Sequence, residues 1–298
     1  MWSRGKGSEV MREKISAKRR IINAILNSLV FFAALIIFVL VILMAGYILF
    51  RGLGHITGEF LTTKPSMIRE TVGILPNILN TIYIIIITIM IVLPLGVGGA
   101  VYLQEYASNK KAVKVIELAT ETLAGIPSII YGLVGMLIFV QFFTLGTSLI
   151  AGALTLVIMT LPTVIRTTQE SLKTVPQSYR EGAFALGAGK WYTIRTVVLP
   201  SAVDGIITGC ILAIGRITGE SAALLFTAGM ANELLSPLDA VQSDNAGSTL
   251  TVSLYMYAKE RGDFETAFAV AAVLLFISVI INVSVKIAKN KFKRGEEK

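Results

Sequence analysis

The sequence predicts an all-α integral membrane protein with six transmembrane helices, and three observations carry that prediction. Hydrophobic residues make up 54% of the 298 and charged residues 15%, where a soluble domain has about a quarter of its residues charged. The apolar residues fall in long blocks, the mark of segments that cross hydrocarbon. Lys and Arg gather beside alternate ends of these blocks, which is the positive-inside pattern.

The spans follow in order. Residues 1–20 form a basic tail with seven Lys or Arg, and the first transmembrane helix occupies 21–50, where Leu29 to Phe50 is free of charge. That run is long enough to cross about 30 Å of apolar bilayer. A secretory signal has a shorter apolar region and a small-residue cleavage site, so this segment is expected to remain as a span. Five further spans fall within 71–286, ahead of a second basic tail at 287–298. The second runs from about Asn77 to Tyr102, with Pro94 expected to kink it. Thr122 to Ile165 holds 44 residues without a charge. As one helix it would reach about 66 Å at ~1.5 Å per residue, twice the apolar thickness. It therefore divides into spans three and four, with Thr144 to Ser148 as the turn. Pro200 to Ala228 is the fifth and Thr266 to Val285 the sixth.

Orientation follows from the basic residues. The N-terminal tail carries seven, the loop at Lys110 to Lys114 three, residues 166–195 five and the tail from Lys286 six. Residues 51–75 and 227–263 share five, and the second of these loops is net acidic. Both termini are then expected on the cytoplasmic side of a multi-pass plasma-membrane protein. The net charge of +8 follows this pattern rather than a nucleic-acid footprint, having no aromatic interleaving. Cys210 has no second cysteine to pair with. Leu250 to Ala258 is apolar but too short to span; an interfacial or re-entrant helix with Tyr255 and Tyr257 at headgroup depth is one reading, a plain loop the other.

Between spans four and five the chain reads QSYREGAFALGAGKWYTIRTVVLP, residues 177–200. Ser178 and Glu181 form S-x-x-E, which predicts a capping box and a helix starting just after Pro176. Gly187 sits where a glycine would stop that helix. The short helix would expose Tyr179, Ala183 and Leu186, and a second helical stretch from about Lys190 would lead into span five. An amphipathic linker on the membrane surface is the plainer reading of the same pattern.

This stretch resembles the loop signature of permease subunits of ATP-binding-cassette importers: Glu-Ala-Ala, three residues, Gly, nine residues, Ile, one residue, Leu-Pro. Glu181, Gly182, Ala183, Gly187, Leu199 and Pro200 occupy those places, with Gly182 standing for Ala and Val197 for Ile. Gly182 weakens the helix by up to about 1 kcal/mol relative to Ala. Three further stretches, at residues 122–135, 164–176 and 215–229, make the chain from about Thr71 to Lys286 similar to the PstA-type permeases of phosphate importers. Ser221 to Ala228 after the Arg-to-Glu spacing favours that type over the PstC type. The resemblance implies the type I importer (MetI-like) fold, with spans two to six as a five-helix core and the first helix outside it. It implies a bacterial or archaeal inner membrane, a second permease of PstC type, two ATP-binding subunits of PstB type and an extracytoplasmic phosphate-binding protein of PstS type. In that family the short helix docks into a cleft of the ATP-binding subunit. The sequence holds no G-x-x-x-x-G-K-[ST] phosphate loop: near Gly189-Lys190, Phe184 and Trp191 stand where Gly and a hydroxyl residue are needed. ATP is thus expected on a partner, with no cofactor, metal or catalytic residue in this chain.

Arg216 and Glu220 lie four residues apart in the fifth span, where one helix face would let them pair. Each charge costs about 2.5–3.5 kcal/mol at mid-membrane, so neither is expected to face lipid. A buried, self-neutralised lock between helices is one reading. The other is a pathway in which Arg216 receives the anion and Glu220 holds Arg216 in its absence; Arg suits phosphate better than Lys because its fork binds two oxygens. The family resemblance implies the pathway role, and also adds Arg166, which by itself reads as a snorkelling residue at the end of span four. Gly205/Gly209 and Gly215/Gly219 are G-x-x-x-G pairs that allow close helix approach. Glu117 and Glu121 read as helix-start residues of span three that suit the dipole, and His55 has no assigned role. The expected function is a phosphate importer permease. A permease for another oxyanion such as sulfate or molybdate is the runner-up. A secondary anion carrier would need an internal repeat and no docking loop.

Overall fold

The computed structural model describes residues 17–65 and 71–296, with side chains from 21–65 and 71–287. The remainder of the N-terminal basic tail, Arg69 and the last tail residues lie outside that description. Every long element among the described residues is helical: α1 (Ala17–Gly52), α2 (Gly58–Thr62), α3 (Leu75–Val101), α4 (Lys110–Ala124), α5 (Ser128–Gly135), α6 (Leu149–Thr174), α7 (Gln177–Ala185), α8 (Lys190–Thr193), α9 (Leu199–Thr218), α10 (Ala222–Thr227), α11 (Leu250–Tyr255) and α12 (Phe264–Glu296). The described residues fall into two compact units, divided between Phe50 and Arg51. The first contains most of α1, a 36-residue helix without an acidic residue in its first turn.

Five helical segments are long and apolar enough to cross a membrane, and the bent pair α4–α5 makes a sixth when counted as one span. The third span is therefore not one straight helix. α4 and the segment Ser128–Phe142 meet at 100°, because Gly125 and Pro127 interrupt the intrahelical bonding between them. The Tyr131 hydroxyl braces the corner by donating to the Leu123 carbonyl at 2.8 Å. α3 runs through Pro94 and continues as a π-helical turn to Tyr106. The fifth span also departs from expectation. It runs from Lys190 to Thr218, breaks at Gly219–Ser221, and resumes only as the six-residue α10.

Helix α6 is the axis of the second unit, packed between α3 and α9. Lipid tails are as apolar as Leu, so close van der Waals contact rather than water exclusion holds such helices together. Small residues make that approach. A Cβ at Gly96 would meet the Val164 side chain at 2.6 Å, and one at Gly152 would meet Ala228 at 2.8 Å. Along the α6–α9 crossing, Gly205 lies against Ser171 and Gly209 against Thr167. The expectation for that G-x-x-x-G pair holds. Gly215 faces open space and Gly219 meets only its own turn, so the second pair joins no helix among the described residues. Buried hydroxyls bond to carbonyls four residues back, as Thr155 does to Ala151 at 2.8 Å and Thr218 to Ile214 at 2.7 Å. These hydroxyls thereby need no water in hydrocarbon.

At the end remote from α7, residues 228–249 fold over the turn before α6. Asp244 N donates to Leu145 O at 2.9 Å, and Leu149 N to Asn245 O at 3.2 Å. The first turns of α3 hold this loop from beneath: Asn77 Nδ2 donates to Asn232 Oδ1 at 2.8 Å, Asn80 Nδ2 to Ser248 O at 3.2 Å. Leu250 N in turn donates to Thr81 Oγ1 at 2.9 Å. The segment Leu250 to Ala258 is helical rather than a plain loop, and it packs into the interior of the second unit. Leu250, Val252 and Tyr257 are buried with Phe60, Ile74 and Val270. Burial pushes the Tyr257 phenol up, against the lowering effect of Arg261 over its ring.

The α6–α9 contact gives a direct test. Gly209→Leu places a side chain into Thr167, an overpacking of about 1–3 kcal/mol, and should lower the detergent melting temperature and the yield of folded subunit. Gly215→Leu, at an open position, should leave both near wild type.

Candidate functional site

Arg216 occupies the last turn of α9, where the helix dipole favours a cation. It is half-buried, and its charge acts on the Tyr131 phenol. Among the described residues it takes no ion pair and no hydrogen bond. The pairing with Glu220 across one helix face is not formed. α9 ends at Thr218, with Gly219 as its C-cap, so Glu220 leaves the helix before its side chain can rise beside Arg216. The carboxylate turns to the next element: Glu220 Oε1 accepts from Ala223 N at 3.0 Å, covering an otherwise open amide of α10. Ser221, the residue at the N-cap, makes no such bond. Thr251 Oγ1 donates to the Glu220 carbonyl at 2.7 Å, so a residue 8% exposed joins α9, α10 and α11. Glu220 is a junction residue in this conformation, and Arg216 is left as a cation available to an anion.

Arg166 lies near the other end of α6. The antiparallel contacts Thr167–Gly209 and Ser171–Gly205 put Arg166 about level with Gly209. Arg216, seven residues further along α9, is then about 10 Å away along the axis. The two arginines sit at different depths of the same helix pair. Arg166 does not snorkel alone: it donates to Glu121 at 3.1 Å and to Glu170 at 3.2 Å. Lys173 meets Glu117 at 3.4 Å. Glu117 and Glu121 are thus not helix-start residues. They lie in the middle and last turns of α4, where the dipole does not favour them, and the cations of α6 hold them instead. Together with Thr120 and Gln169 these side chains line a polar cavity of about 210 Å³. Exposed pairs of this kind are screened by solvent and hold weakly, so the cluster can open at small cost.

The segment between α6 and α9 forms the helix expected after Pro176. The capping box does not form: Pro176 is the N-cap with no side-chain bond, and Ser178 and Glu181 lie inside α7. Pro176 already sets the entry geometry, which removes the need for a serine there. Gly187 ends the helix as expected, at φ +81°, with its N–H on Phe184 O at 2.9 Å and that of Ala188 on Ala183 O at 3.0 Å. Glu181 and Gly182 are exposed, Ala183 is half-buried, and a Cβ at Gly182 would meet open space. Leu199 and Pro200 are half-buried where α9 begins. An apolar groove of about 710 Å³ runs along this surface between Tyr179, Ala183, Leu186, Gly187, Tyr192 and Val197. Leu186 is 90% exposed, a position that a monomeric soluble surface seldom gives a large apolar side chain beside such a groove.

Sequence reasoning missed two charged residues here. Arg180 lies next to Tyr179 yet is buried, paired with Glu105 at the end of α3 at 2.7 Å. Each reads in isolation as an ordinary loop charge, and nothing in their spacing announces a partner 75 residues away.

Residues 92–294 match the family model described as the binding-protein-dependent transport system inner membrane component. The chain is 40% identical over 218 residues to the probable ABC transporter permease protein YqgI of Bacillus subtilis (strain 168), covering 73% of this chain and 74% of that protein. It is 35% identical over 209 residues to the phosphate transport system permease protein PstA 2 of Mycobacterium tuberculosis (strain CDC 1551 / Oshkosh), covering 70% and 68%. In fold it is similar to a chain of a bacterial ABC transporter that imports the acidic polysaccharide alginate, with TM-score 0.63 at 12% identity over 91% of this chain and 99% of that one. A chain of the inward-facing MetNI methionine ABC transporter gives TM-score 0.53 at 20% identity over 75% and 94%. The chain belongs to the inner-membrane permease component family of binding-protein-dependent transport systems.

Proposed function

We propose that this permease is one half of the membrane pathway of an ATP-driven importer of inorganic phosphate. The observation that carries the reading is Arg216, a half-buried guanidinium that among the described residues has no ion pair or hydrogen bond, at the end of a membrane helix. A charge within a membrane protein is costly without a counter-charge, and an anion in transit offsets that cost. Phosphate takes the guanidinium fork through two oxygens. The PstA name of several relatives supports phosphate as the anion. Arg166, near the α7 end of the same helix pair, gives the anion a second cation, loosely held by Glu121 and Glu170.

In this reading α7 docks into an ATP-binding subunit of PstB type, of which the complex holds two. The groove between Tyr179 and Val197 and the exposed Leu186 support a protein partner there. A second permease of PstC type completes the pathway, and an extracytoplasmic protein of PstS type delivers phosphate to the opposite end. Both termini and α7 face the cytoplasm, as the basic residues require.

Uptake of labelled phosphate by the reconstituted complex, normalised to assembled protein, tests the anion role. Arg216→Gln should lower uptake at least about tenfold at near-normal assembly, and Arg216→Lys should restore only part of it. Loss of assembly with Arg216→Gln would make the residue structural. Uptake of sulfate or molybdate in place of phosphate would reassign the substrate.

Glu220 should behave as a cap. Glu220→Gln keeps the acceptor toward Ala223 N and should stay close to wild type in stability, while Glu220→Ala loses about 1 kcal/mol, read as a lower melting temperature of the purified subunit.

For docking, Gly187→Val forces a β-branched residue to φ +81°. It should leave the protein in the membrane but abolish recovery of the ATP-binding subunit in a pull-down. Unchanged recovery would remove the docking role of α7.

A further inference from the structure

We propose that Arg180 and Glu105 form a strut that carries movement of α7 into the membrane helices α3 and α6. The proposal rests on the docking reading of α7 above. The pair is buried, with the Arg180 and Glu105 side chains 10% and 11% exposed. Arg180 Nη2 and Nε donate to Glu105 Oε1 at 2.7 and 3.1 Å, and Nε also approaches Oε2 at 3.4 Å. The remaining reach of the guanidinium goes to helix α6: Nη1 donates to Val175 O at 2.8 Å and Nη2 to Leu172 O at 3.1 Å. Those carbonyls belong to the last turn of α6 and its C-cap, where Leu172 O also takes a long bond of 3.4 Å from Val175 N. One planar group therefore ties three elements: α7, the end of α3 and the end of α6.

The placement suits transmission rather than mere adhesion. Tyr179 and Leu186 face outward from α7, where a partner would press, and Arg180 faces inward from the same turn. A cleft of about 670 Å³ bordered by Gln104, Gln177 and Phe184 separates much of α7 from the end of α3, and the ion pair stands in its wall. A second tie runs in parallel, with Lys190 at the start of α8 lying 4.8 Å above the Tyr106 ring. Behind them Leu172, Val175, Ile194 and Val198 pack with Ala100 and Val101. A force on the outer face of α7 thus reaches α3 through a rigid, desolvated fork. Lys at position 180 would keep the charge but could not hold the carboxylate and both carbonyls at once.

The test uses the whole reconstituted complex with its ATP-binding subunits, reading labelled inorganic phosphate taken up per ATP hydrolysed. Glu105→Gln and Arg180→Lys should both assemble and retain the ATP-binding subunit, yet lose at least about tenfold in uptake per ATP. Wild-type uptake per ATP in the assembled Glu105→Gln complex overturns the strut. Failure of both variants to assemble also overturns it, because the pair would then be a folding contact. Loss of ATP-binding-subunit recovery by Arg180→Lys alone makes Arg180 a docking residue and overturns it likewise. Gly187→Val, run in parallel, separates the two readings. If it keeps the ATP-binding subunit, docking through α7 fails and the strut with it. If it loses that subunit while Glu105→Gln stays coupled, only the strut fails.

Discussion

Close approach along α6 is the constraint on which the rest of the second unit depends. In lipid no water is released when apolar helices meet, so contact distance decides whether they stay together. Gly96, Gly205 and Gly209 bring α3 and α9 onto Val164, Ser171 and Thr167 of α6. Gly152 on α6 itself leaves room for Ala228, which a Cβ there would meet at 2.8 Å, and this close fit anchors the short α10. The depth of both arginines follows from this packing. Arg166 and Arg216 are set on facing helices whose register the glycines hold, and neither could keep its level if α9 slid by a turn.

Charge is handled differently at the two ends of these helices. Toward α7, cations and carboxylates are paired: Arg166 and Lys173 with the acids of α4, Arg180 with Glu105. At the far end of α9, Arg216 has no ion pair or hydrogen bond among the described residues, while Glu220 is committed to an amide of α10. The difference is physical. A helix end beside a loop can find a counter-charge on another element. At the last turn of α9 the nearest acid in the sequence is Glu220, and Gly219 ends the helix before that side chain can lie beside Arg216. The break that frees Arg216 also makes Glu220 a joint between α9, α10 and α11.

Much of the candidate site was legible before any coordinates. The helix after Pro176, its stop at Gly187, and the close face of Gly205 and Gly209 followed from turn chemistry and spacing, and they stand as read. The expected Arg216–Glu220 pair failed because i to i+4 spacing speaks only if the helix is unbroken. The Ser178–Glu181 capping box failed because Pro176 had already set the start of the helix. Glu117 and Glu121 were misread because the boundary of α4 was drawn at the apolar block rather than at Asn109, whose side chain accepts from Lys111 N and Ala112 N. Arg180 and Glu105 carried no readable signal, since pairing across 75 residues is a property of the fold.

The sequence by itself determined the class: membrane-crossing apolar blocks, the loops beside which basic residues collect, and a short exposed helix ended by glycine. These are local properties, set by hydropathy, by charge and by the backbone freedom of Gly and Pro, so a window of about 20 residues contains them. Only the tertiary structure decided where the fifth span breaks, that Leu250 to Ala258 is buried in the core, that α4 turns 100° from the segment it precedes, and which charges meet. Those outcomes depend on which distant segment offers an amide, a carbonyl or an opposite charge at about 3 Å, and no single window holds both partners.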